Sequence, residues 1–96
     1  MSKMDDYVKH RLNGVGVRKA ARAANYSGGT PSPAAYALAG VARAFQKAMN
    51  PLTLDSVQNT LKGAEKVLDG LEKSREQAKA DVDALRLIRE VLQWDR

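Results

Sequence analysis

Arg18, Lys19 and Arg22 fall within little more than one helical turn, and Thr30, Ser32 and Tyr36 follow across a short gap. Guanidinium and ammonium groups at that spacing can hold successive phosphate oxygens, and hydroxyls just beyond them can reach further phosphates or base edges. Lys9 and Arg11 before the cluster and Arg43 after it extend the same character. The chemistry on offer is recognition of a polyanion, with no covalent step. Other chemistries find little material. His10 is the only histidine and cysteine is absent, so one chain assembles no metal cluster, Cys-His pair or Ser-His-Asp triad. Gly14-Val15-Gly16 is a fragment of a phosphate-loop pattern that lacks the Gly-Lys-Ser/Thr needed to complete it. Asp81 and Asp83 lie in so charged a stretch that solvation or ion pairing accounts for them. The expectation is a non-enzymatic protein without catalytic residues, metal or cofactor.

The placement of charge sharpens that expectation. The chain has 96 residues and a net charge of +5. Residues 1–53 carry 8 basic and 2 acidic side chains, whereas residues 54–96 carry 8 basic and 9 acidic ones, so the whole excess lies in the first half. A basic half beside a charge-balanced half suits a nucleic-acid-binding head, residues 1–50, joined to an assembling arm, residues 51–96. The lack of cysteine fits a reducing compartment, the cytoplasm. No apolar run approaches the ~20 residues of a membrane span, so no membrane partner is expected.

The elements that must hold these residues read as helices throughout. Asp5 and Asp6 complement a helix N-terminus, and Tyr7, Val8 and Leu12 carry a helix over residues 5–13 that Asn13-Gly14 ends. Val17, Ala20, Ala21 and Ala24 give a second helix, residues 16–24, a narrow apolar stripe with the basic cluster facing elsewhere. Gly28-Gly29-Thr30-Pro31 interrupts it. Ser32 then caps a third helix with Pro33 at its first position, with Leu38, Val41, Ala42, Phe45 and Met49 as its buried face. It stops before Asn50-Pro51. Helix, corner and helix in that order predict a helix-turn-helix head whose third helix meets DNA near its N-terminus.

The arm begins after Thr53, a capping residue. Leu54, Val57, Leu61, Leu68, Leu71, Val82, Leu85 and Leu92 recur in steps of three and four or their multiples, the period of a coiled coil, with Ile88 and Trp94 widening the stripe at the far end. One continuous helix over residues 54–92 would run about 58 Å and need another subunit, so these ten residues are the candidate oligomerisation face. A hairpin is the alternative, because Gly70 followed by Ser74 and Gln77 reads as a helix end and a new capping box. The expected class is all-α, a three-helix head with a coiled-coil helix or helical hairpin.

The run Ala20-Ala21-Arg22-Ala23-Ala24-Asn25-Tyr26-Ser27 resembles the "AAxxAGYS" helix-turn-helix signature of tailed-phage small terminase subunits, which recognise viral DNA for genome packaging. Tyr7-Val8 and Asn13-Gly14 are similar to that family's preceding helix and its exit, so the likeness covers roughly residues 5–45. The resemblance implies a homo-oligomeric ring that binds double-stranded DNA in a bacterial host, with a large terminase motor subunit as a further partner. Asn25 stands where the family has Gly, and the Gly- and Pro-rich corner is longer than the family's turn. The third helix begins without Arg, Asn or Gln, the side chains that read guanine and adenine bidentately, so phosphate contacts dominate the expectation. Two other readings remain open: a dimeric phage transcriptional regulator, and a coiled-coil adaptor whose basic head binds an acidic protein surface.

Overall fold

The Ser2 side chain accepts a hydrogen bond from the Asp5 backbone N–H at 3.1 Å and starts the first helix, α1, Lys3–Leu12. This is two residues earlier than the acidic pair alone suggests, since the cap fixes the start and Asp5 and Asp6 then fall in the first turn. The computed structural model describes residues 2–49, 52–71 and 75–94. Four further α-helices follow: α2, Val17–Ala23; α3, Pro33–Ala48; α4, Leu54–Gly70; and α5, Arg75–Trp94. A short 3-10 turn, Ser27–Gly29, lies between α2 and α3. No strand occurs among the described residues, and none of the helices is long and apolar enough to cross a membrane. The fold is all-α.

The caps at the later helices are those the sequence marks. Ser32 Oγ accepts from the Ala35 N–H at 3.2 Å with Pro33 in the first turn of α3, and Thr53 Oγ1 accepts from the Ser56 N–H at 3.2 Å to open α4. Ser74 lies outside the described residues, but the arm does fold at this point. α4 and α5 are separate helices packed along each other, giving a hairpin rather than one 58 Å rod. The molecule measures 39 × 34 × 22 Å.

α5 is the central element, packing on α4, α3 and α1. Val57 and Leu61 from α4, together with Val82, Leu85 and Ile88 from α5, are buried in one core cluster with Tyr7, Val8, Leu12, Leu38 and the alanines of α2 and α3. Five of the heptad-spaced residues thus close the chain's own core, and the head supplies surface that a single continuous helix would have needed from another subunit. An amphipathic stripe specifies that a partner exists without specifying whether it lies on the same chain. Leu54, Leu68, Leu71 and Leu92 are half-buried, and the side chain of Trp94 lies outside the described residues.

The head departs from a helix-turn-helix at its corner. α2 packs on α1 and on the 3-10 turn, α3 packs on α1 and α5, and α2 and α3 make no direct packing contact. Residues 24–32 are too long a connection for the tight three- to four-residue turn that holds such a helix pair together. Asn25, Gly28 and Gly29 take φ of 69°, 68° and 70°, and these three left-handed residues fold the connection back onto α2. Tyr26 then packs edge to face on Tyr7 of α1, with ring centroids 6.2 Å apart and an interplanar angle of 89°. α1 is therefore the bridge. At its C-terminus Gln46 Nε2 of α3 donates to the Leu12 carbonyl at 3.0 Å, fixing α3 along it.

Candidate nucleic-acid interface

Between Asp6 and Asp55 the sequence contains no carboxylate side chain, so the cations of α2 and α3 have no acidic neighbour in their own segment. Arg18, Lys19 and Arg22 are exposed on α2, since the buried stripe of that helix is filled by Ala20 and Ala21. No carboxylate among the described residues pairs with them. The Gly28-Gly29 corner lies against the stems of two of them: a Cβ on Gly29 would stand 3.4 Å from Arg22 Nε and 3.6 Å from Arg18 Cβ. The turn thus braces the two arginines from one side. Thr30, at the end of that turn, is exposed.

A second group of cations surrounds a groove of about 320 Å³ between α1 and α3, lined by Tyr7, Arg11, Tyr36, Gly40, Arg43 and Lys47. Tyr36, Gly40, Arg43 and Lys47 recur every three or four residues and form a stripe of α3 outside its buried face. Tyr36 is 59% exposed. Arg11 is fixed by its Nη1 donating to the Val15 carbonyl at 2.9 Å. The Tyr7 hydroxyl and Arg11 Nε are both buried without a hydrogen-bond partner among the described residues. Burial pushes the Tyr7 phenol above the ordinary tyrosine range, and the nearby Arg11 guanidinium opposes part of that rise. Outside the groove, Lys3 Nζ lies 5.7 Å over the ring of Tyr26.

Of the nine head residues expected at a nucleic acid, Arg11, Tyr36 and Arg43 meet around the groove, while Arg18, Lys19, Arg22 and Thr30 share the α2 and turn surface. Two belong elsewhere. Lys9 is buried, and its Nζ lies 2.8 Å from Glu90 Oε2 of α5, so its charge ties head to arm and is not presented to a ligand. Ser32 is half-buried with its oxygen engaged as the α3 cap. Lys47 and Tyr7 are the residues that sequence reasoning missed. Lys47 carries a signal, standing one turn beyond Arg43 in the acid-free segment; the state of the Tyr7 hydroxyl depends on tertiary packing and carries none.

Among the described residues no group of three or more His, Asp or Glu residues could hold a metal ion. What the arrangement can do is bind anions, by guanidinium and ammonium groups that no carboxylate among the described residues pairs with on α2. No protein-family model, curated protein or solved structure matches the chain.

Proposed function

We propose that the chain is a non-enzymatic DNA-binding protein that holds duplex DNA mainly through its phosphates. The observation that carries this reading is the set Arg18, Lys19 and Arg22 on α2, exposed, in a segment with no carboxylate of its own and paired with none among the described residues. Cations so placed replace condensed counterions on the duplex, a sequence-independent source of affinity. The resemblance of residues 20–27 to the small terminase signature supports a packaging role in a phage-infected or lysogenic bacterial cytoplasm. Several linked heads would there multiply weak contacts, and a large motor subunit would be the partner. The half-buried Leu54, Leu68, Leu71 and Leu92 and the 58% exposed Val67 supply the apolar surface for such self-association.

Replacing Arg18, Lys19 and Arg22 together with Ala tests the reading by fluorescence anisotropy on a labelled duplex. Affinity is expected to fall at least about a hundredfold at low salt, while the circular dichroism spectrum is unchanged. Unaltered affinity would exclude α2 as the binding surface. Native mass spectrometry separates the roles: a ring of subunits fits packaging, and a dimer fits an operator-binding regulator.

A further inference from the structure

The groove between α1 and α3 has a composition that the α2 surface lacks. Arg11, Arg43 and Lys47 converge on it from two helices, no carboxylate among the described residues lines it, and Tyr7, buried beside the Arg11 guanidinium, forms part of its wall. Gly40 keeps the groove open. A Cβ there would meet nothing within 4 Å, so packing does not require the glycine, whereas a side chain would project into the space that the cations surround.

We infer that this groove is a phosphate seat, in which the Arg11 and Arg43 guanidinium groups and the Lys47 ammonium hold the oxygens of one phosphate group. Three positive charges around one small volume suit a tetrahedral phosphate group, with several oxygens to share among them, better than a planar carboxylate. The exposed ring of Tyr36 stands at the rim, where a sugar or base attached to that phosphate can lie against it. The seat deepens the DNA-binding reading in taking the phosphate to be a nucleotide's. Its geometry is independent of the α2 surface.

The test is a titration of inorganic phosphate into the isotope-labelled full chain at constant ionic strength, with chloride as the balancing anion and backbone amide shifts as the readout. Saturable shifts are expected at Tyr36, Gly40 and Arg43 and not at Arg18, Lys19 or Arg22. Arg43→Gln and Lys47→Gln, which leave the buried core untouched, are each expected to weaken binding about tenfold. A linear drift without saturation, or saturation that both variants leave unaltered, would overturn the seat. A duplex with 5′-phosphate ends and the same duplex with 5′-hydroxyl ends are then added as competitors. Stronger displacement by the first assigns the seat to a terminal phosphate, and equal displacement assigns it to internal phosphodiesters. Displacement by neither, with phosphate still bound, keeps the seat and removes DNA as its source. Duplex binding with no saturable phosphate response removes the seat and leaves the DNA reading standing.

Discussion

The ion pair between Lys9 and Glu90 separates charge used for folding from charge offered to a ligand. Lys9 Nζ lies 2.8 Å from Glu90 Oε2, and the two side chains are 6% and 47% exposed. At an effective dielectric near 20 the attraction across that distance is about 6 kcal/mol, and most of it offsets the cost of burying the ammonium. Glu90→Gln removes that attraction while the ammonium stays buried. Because water reaches the glutamate side of the pair, the loss is about 2 kcal/mol rather than the larger figure for a fully buried pair, and the melting temperature falls by roughly 10 °C. Lys9→Met removes the cost together with the attraction and stays within about 1 kcal/mol of the natural chain. Glu90→Gln added to Lys9→Met then costs close to nothing. Urea unfolding of the four chains measures this coupling, and duplex affinity of Lys9→Met measures the other half of the argument, for it is expected to match that of the natural chain. An equal cost of Glu90→Gln in both backgrounds would refute the structural role of Lys9. So would a loss of DNA affinity on Lys9→Met comparable to that of an α2 arginine variant.

Three smaller perturbations probe other parts of the structure. Gly29→Ala places a Cβ at φ 70° against Arg22 and is expected to cost about 1–2 kcal/mol in urea unfolding, with further loosening of the corner. Gly63→Ala, in the middle of α4 with no neighbour within reach of its Cβ, is expected to stabilise by about 1 kcal/mol in the same assay. Tyr7→Phe is expected to stabilise the phosphate-free protein by about 1–3 kcal/mol at neutral pH. Tyr7 also gives a pH dependence with a definite sign. Its folded pKa is raised, so the unfolded chain loses the phenolic proton first, and the stability present below about pH 10 declines as pH rises through the folded value. Urea unfolding on either side of pH 10 should show a smaller alkaline loss in Tyr7→Phe.

Local signals in the sequence translated directly into structure. Ser32 with Pro33, and Thr53 before Leu54, mark helix starts because capping depends on neighbours three residues away. Asn25 accepts the left-handed conformation at the position where the resembled signature has Gly, as its short polar side chain permits. Partners were harder to read. Val57, Leu61, Val82, Leu85 and Ile88 have the period of an intersubunit seam, yet their partners are each other and the head. Three adjacent residues, Lys9, His10 and Arg11, share a basic character but project around the helix at about 100° steps. One is buried against α5, while another borders a groove. The corner likewise carries clear turn residues, but its length, not its composition, keeps α2 from packing on α3. What the sequence leaves open in each case is tertiary: which face of one element meets which face of another.

The salt dependence of duplex binding by the natural chain tests the central claim most directly. If Arg18, Lys19 and Arg22 each neutralise one phosphate, the logarithm of the association constant falls with the logarithm of salt concentration at a slope of at least about −3 in magnitude. The Ala triple variant should lose that slope. Duplex binding that is absent at low salt, or whose slope stays the same in the variant, would contradict the account.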